Sequence, residues 1–229
     1  MLFLLAFVVP MVLGFWAQHR VKSTFARNLE VPVANGMTGA QVARRILDAN
    51  GLNDVPVEET PGSLSDHYDP RSRSVHLSEP VYRGASVAST AVGAHEVGHA
   101  IQHQQAYAFF RFRSAMFPAV QFASNIWMLF LLGGLFLQLT GFILVAVVLY
   151  SIAVLFQIVT LPVEFDASRR AVVALRELEI VTPGEASGAA AVLNAAALTY
   201  VAAALTAVLQ LLYFLMRSGL LGGRRESES

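Results

Sequence analysis

From Met116 to Leu161 the chain runs for 46 residues without an Asp, Glu, Lys or Arg. A single helix of that length, at ~1.5 Å per residue, would be about twice as long as the ~30 Å hydrocarbon core of a bilayer. The run therefore reads as a hairpin of two membrane spans, with Gly133, Gly134 and Gln138 marking the turn. Two further apolar runs flank it. Residues 1–17, MLFLLAFVVPMVLGFWA, lack the basic start and small-residue cleavage site of a secretory signal, so they read as an uncleaved span. Residues 188–216 begin Ala-rich and end in LTAVLQLLYFLM, which reads as one more span. Four spans are expected.

Composition agrees with that count. The chain is 55% hydrophobic and 14% charged, whereas a soluble domain is about 25% charged. Sixteen basic and 16 acidic residues cancel, which removes the case for nucleic-acid binding. There is no cysteine, so disulfides, thiolate catalysis and Cys-ligated zinc are excluded.

Only residues 18–115 have sustained water-soluble character. Thr38 followed by AQVARRILDAN and Gly51 predicts a capped amphipathic helix with a glycine stop. VPVEE (55–59) and SVHLS (74–78) alternate as short strands do, and SDHYDPRSR between them carries turn signals. A helix is expected from Ser86 to about Arg113. Residues 162–187 form a second polar helix, and 217–229 a disordered tail.

Within the polar segment lies Ala-His-Glu-Val-Gly-His-Ala-Ile-Gln-His, residues 94–103. His95, Glu96 and His99 fit the H-E-x-x-H pattern. Residues i and i+4 share one helix face, so both imidazoles can reach a single Zn²⁺, with Glu96 beside it as the base that takes a proton from water. Ala94, Gly98 and Ala100 leave room for another element to pack closely. His103 continues the same face, but eight residues of helix separate it from His95 by about 12 Å. Bonds of ~2.0–2.1 Å from nitrogen to zinc cannot span that, so His103 is expected to support the site or lie at the surface. The metzincin extension, with Gly at 102 and His at 105, is absent because both positions are Gln.

The third ligand must come from elsewhere. Two crossings after His99 return the chain to the same side of the membrane near Pro162, where Glu164 and Asp166 follow in LPVEFDASRRAVVAL. A carboxylate with two histidines is a known catalytic zinc set. Acids after a proline also suit an ordinary helix start, and spacing alone does not choose between Glu164 and Asp166.

Taken together, YDPRSRSVHLSEPVY, AHEVGHAIQH, LPVEFDASRRA and LNAAALTYVAAALTAVLQLL resemble the YugP-type bacterial neutral zinc metallopeptidases over nearly the whole chain. That resemblance implies a mainly α integral membrane protein, with about four transmembrane helices and a small α+β gluzincin-like zinc protease domain. A wider similarity to HtpX-like and CaaX-prenyl proteases, whose helix reads roughly Glu-aromatic-x-Ala-Asp-x-x-Ala, implies that Glu164 is the zinc ligand. Ser168 stands where those families have Asp, and Asp166 is the expected substitute as a carboxylate pairing with a ligand imidazole.

The expected activity is endopeptidase cleavage of membrane or misfolded proteins, with Zn²⁺ on His95, His99 and Glu164 and Glu96 as catalytic base. His76, Asn194 and Tyr200 are candidates to polarise the scissile carbonyl. Ser74, Val75, His76 and Leu77 are the expected edge strand to which a peptide substrate adds. Ten Lys/Arg in 18–115 and three in 163–187 place the catalytic segments in the cytosol, against a bacterial inner membrane, although Arg217, Arg224 and Arg225 in the tail oppose this. Partners are a protein or peptide substrate and the lipid bilayer, with a membrane-protein partner or homo-oligomer left open. A second reading is a catalytically silent scaffold or adaptor that keeps the zinc-protease fold. A transporter would need ionisable groups in its spans, and the central hairpin has none.

Overall fold

The computed structural model describes residues 3–218, so nearly all of the expected disordered tail lies outside the described residues. A π-helical turn, Leu4–Val8, leads into α1 (Val9–Leu29). There follow α2 (Gly39–Ala49), β1 (Val57–Thr60), β2 (His67–Asp69), β3 (Ser74–Ser78), α3 (Glu79–Tyr82), α4 (Val87–Gln104), α5 (Ala108–Phe136), α6 (Thr140–Glu177) and α7 (Pro183–Arg217). Four helical stretches, Leu4–Leu29, Ala108–Phe136, Thr140–Glu177 and Pro183–Arg217, are long and apolar enough to cross a membrane. The chain divides into two compact units. One comprises Met1–Trp16, Phe112–Leu161 and Tyr200–Ser229, the other Ala17–Arg111 and Pro162–Thr199.

In the first unit, α5 and α6 turn back on each other at residues 137–139, where Gln138 takes a left-handed φ of 54°. The glycines expected in the turn belong to α5 instead. A Cβ on Gly134 would lie 2.6 Å from Ile143 Cγ1, so the glycine is what lets α6 return so closely. Deeper in the unit, the Tyr150 hydroxyl donates to Gln210 Oε1 at 2.7 Å, and the Trp127 ring packs on Tyr150. A hydrogen bond satisfies both polar groups where no water is available.

The second unit holds the larger core. The Thr38 hydroxyl accepts from the Gln41 N–H while Gln41 Oε1 accepts from the Thr38 N–H, the capping box that starts α2. Gly51 stops the helix with φ 70°. Val42, Ile46 and Leu47 of α2 are buried with Val87, Ala91, Ala94 and Val97 of α4, Val75 and Leu77 of β3, and Leu175 of α6.

Three elements differ from the sequence expectation. The helix from Ser86 stops at Gln104, nine residues early. There the Tyr107 N–H donates to Gln102 O and the Ala106 N–H to His103 O, with Ala106 at φ 52°. These are the hydrogen bonds of a Schellman stop, made here by an alanine where glycine is usual. The sheet order is β1-β3-β2, so Ser74, Val75, His76 and Leu77 form the central strand and not an edge. β1 pairs with it in parallel, and β2, hidden in the sequence among turn-forming residues, pairs with it antiparallel. Finally, α6 runs through Pro162 without a break, so Glu164 and Asp166 are interior to a helix. The helix-start explanation for these acids therefore falls away.

Candidate metal centre

α4 presents His95, Gly98, His99 and Gln102 along one stripe, at i, i+3, i+4 and i+7. α6 presents Val163, Glu164, Ala167 and Ser168 along one stripe, at i, i+1, i+4 and i+5. The two stripes face each other at Gly98. A Cβ there would lie 2.7 Å from Ala167 O and 3.1 Å from Ala167 Cα, both backbone atoms that cannot yield cheaply. Gly98→Ala should therefore separate α4 from α6 and spread the ligand set. The expected loss is at least 10-fold in zinc affinity, the lower range for disturbed metal support. A chelator-competition titration that gives wild-type affinity for this variant would refute the close-approach role.

The contact gathers His95, His99 and Glu164 so that one ligand atom from each lies within 4.8 Å of the others. His95 Nε2 is 3.3 Å and His99 Nε2 3.6 Å from Glu164 Oε2. Tetrahedral zinc with bonds of ~2.0–2.2 Å holds neighbouring donors roughly 3.3–3.5 Å apart. The donor set, two imidazoles and one carboxylate, therefore suits Zn²⁺ in kind, and both His–Glu separations are close to this spacing.

A profile of the family described as "Putative neutral zinc metallopeptidase" matches residues 3–219. The chain belongs to this zinc metallopeptidase family. It is also 49% identical, over 227 residues, to "Putative membrane protease YugP" of Bacillus subtilis (strain 168). That alignment covers 99% of this chain and 100% of the relative. No solved structure matches it.

Each of the two imidazoles is also contacted at its second nitrogen. Ser168 Oγ lies 3.2 Å from His95 Nδ1, and Gln102 Oε1 lies 3.0 Å from His99 Nδ1. Both Nε2 atoms are thereby turned toward Glu164. Ser168 thus contacts His95 directly. Asp166, expected to pair with a ligand imidazole, reaches His99 only by way of Gln102, whose Nε2 donates to Asp166 Oδ2 at 3.0 Å. In the sequence Gln102 stands out only as a departure from the metzincin pattern. Its position three residues after His99 was the available signal.

Glu96 is buried next to His95 but does not join the group formed by His95, His99 and Glu164. Burial pushes its carboxyl from an ordinary 4.5 up to about 7; the Glu164 carboxylate adds to the rise, and the His95 ring and Tyr68 backbone N–H restrain it. A carboxyl near neutrality is suited to exchanging protons in both directions.

Three of the remaining sequence candidates, His103, His76 and Asn194, belong to the same compact unit as the converging groups. His103 Nδ1 is 2.9 Å from the Tyr68 hydroxyl, its ring packs on Phe110, and burial with Arg73 lowers its pKa. It is occupied with Tyr68 and Phe110 and is not one of the three converging groups. His76 is turned to the sheet face opposite Val75 and Leu77, with its ring on Ser74 and Glu58, so it is not placed to polarise a substrate carbonyl at the ligands. Asn194 is exposed on α7, and Tyr200 belongs to the other compact unit.

Proposed function

We propose that the protein is a membrane-bound zinc endopeptidase that hydrolyses peptide bonds of membrane or misfolded proteins. The convergence of His95 and His99 of α4 with Glu164 of α6 beside the unliganded Glu96 supports this reading most strongly. Zinc on those three groups would supply Lewis acidity, polarising the scissile carbonyl and making water easier to deprotonate. Glu96 takes the proton as water adds to the carbonyl, then hands it to the departing amine as the C–N bond breaks. Glu164 would join the two histidines in holding the cation, and Ser168 and Gln102 keep the imidazoles aimed. With β3 enclosed, β2 is one of the two edges of the sheet, and its Tyr68 N–H is directed at Glu96. An extended peptide adding there would run past the catalytic carboxylate.

The basic residues of 18–115 and 163–187 favour a cytosolic catalytic unit on a bacterial inner membrane. The alternative of a silent scaffold finds no support in the site, where each position needed for hydrolysis is occupied by a competent group.

The test is cleavage of an unfolded protein by the full chain in lipid nanodiscs. Activity should stop on addition of a chelator and return with stoichiometric zinc. Bound zinc without cleavage of any unfolded or membrane substrate would favour the scaffold. Activity also carries a pH signature. Glu96 must be ionised to accept a proton, so kcat/KM should fall as pH drops through its pKa. That value is about 7 in the metal-free site, and a bound dication pulls it lower, so the acid limb should lie at or below neutrality. A rate that rises from pH 7 to pH 5 would remove Glu96 from the role of base.

A further inference from the structure

Neither His103 nor Tyr68 carries a step of the hydrolysis, yet both are built against the site. β2 has three residues and pairs on one side only, with β3. A strand so short gains little from its ladder, so its position depends on what else holds it. Tyr68, its middle residue, meets α4 at two points. Its backbone N–H is directed at Glu96, and its hydroxyl lies 2.9 Å from His103 Nδ1. Glu96 and His103 are seven residues apart on α4, two turns along one face. Tyr68 therefore lies along that face, with its main chain at the carboxyl and its side chain at the far end.

That far end is firmly packed. The His103 and Tyr68 rings meet edge-on at 5.9 Å between centroids, and both lie against Phe110, at 5.6 and 6.5 Å. Tyr68 and Phe110 are buried. In the turn that leaves β2, Arg73 takes a left-handed φ of 56°, with its guanidinium beside the Tyr68 hydroxyl and 3.2 Å from Asp54 Oδ2. The buried hydroxyl is thus served from two sides. His67 and Asp69 flank Tyr68 in the strand and point to the opposite face of the sheet, so only the Tyr68 side chain of β2 reaches toward α4.

We propose that His103 and Tyr68 are a positioning pair, whose side-chain hydrogen bond holds β2 in place against α4 so that a peptide added to β2 is in register with Glu96. This rests on the peptidase reading and deepens it. It gives the third histidine of the run a task that needs no metal, and it names the substrate class as extended chain long enough to pair with β2. Neither residue touches the reacting atoms through its side chain. The signature of such a pair is that its value grows with the length of substrate lying along the strand.

The test measures kcat and KM on peptides lengthened residue by residue on either side of one scissile bond, with the full chain in nanodiscs. Wild type should gain in kcat/KM as the peptide lengthens. Tyr68→Phe removes only the hydroxyl, and with His103→Ala it should raise KM for the longest peptides about 3- to 10-fold, the worth of one hydrogen bond. The rise should shrink as the peptide shortens. Zinc content should stay at wild type in both, because neither residue is among the converging metal groups. The double variant should be no worse than the weaker single one, since both remove the same bond. His103→Gln can still meet the hydroxyl and should keep the length dependence, which separates the bond from the packing of the ring. A loss equal at every length, or losses that add in the double variant, would overturn the proposal and leave the pair as packing only. Cleavage by wild type without any preference for length would overturn it while the peptidase reading stands. No cleavage at any length would defeat both.

Discussion

Glu96→Gln should lower peptide cleavage by about 10²- to 10⁴-fold, the usual range for removing a general base, while zinc content stays at wild type. The amide has nearly the volume of the carboxyl, and Glu96 is not among the three converging metal groups. What it loses is the ability to take a proton from water and return it to the amine. The same substitution should leave the metal-free protein as stable as wild type or more so at neutral pH. Glu96 is raised in the folded state from 4.5 to about 7. A raised carboxyl favours folding most fully below pH 4.5, and that benefit is lost as pH rises through about 7. Glutamine stays neutral throughout, so the difference in thermal midpoint should open as pH increases across that window. Zinc retained and cleavage lost, in one variant, would identify the base. Cleavage at more than a tenth of the wild-type rate would assign the proton transfer to another group.

Glu164→Ala should remove zinc, and His103→Ala should not. Zinc bound by a full protein ligand set is worth on the order of 10–16 kcal/mol, so deleting one ligand of three should weaken binding by several orders of magnitude. The loss should exceed that of any supporting residue, because Glu164 Oε2 faces both imidazoles at 3.3 and 3.6 Å. His103 is occupied with Tyr68 and Phe110, and its alanine variant should hold zinc with close to wild-type affinity. Both are measured by chelator competition on protein in the same nanodiscs. Zinc retained in Glu164→Ala, or lost in His103→Ala, would reverse the assignment.

These effects follow from features that were unevenly legible in the sequence. Apolar runs and the H-E-x-x-H spacing are local properties, written into consecutive residues, and both were readable. So was Gly98, because a small residue between two ligands has few other uses. The choice of Glu164 over Asp166 needed a family resemblance. Along one helix the two acids differ only in direction, and direction matters only once α4 is in place. β2 was concealed because Asp66 and Pro70 bracket three residues whose extended form is imposed by pairing with β3. The end of α4 was concealed because an alanine takes the left-handed position that usually announces itself as glycine. Gln102 and Ser168 were unreadable as supports for a different reason. Each acts on a histidine through a single polar atom, and which atom faces the ring is decided by the packing of two helices 61 or more residues apart.

The central claim is that one zinc ion is held by two histidines of α4 and one carboxylate of α6. Zinc-edge X-ray absorption on wild type and Glu164→Ala tests it most directly. Wild type should show two imidazoles and additional oxygen scattering at about 2.0–2.2 Å, and the variant should retain no stoichiometric zinc. A wild-type shell of three imidazoles, or an unchanged two-imidazole zinc site in Glu164→Ala, would contradict it.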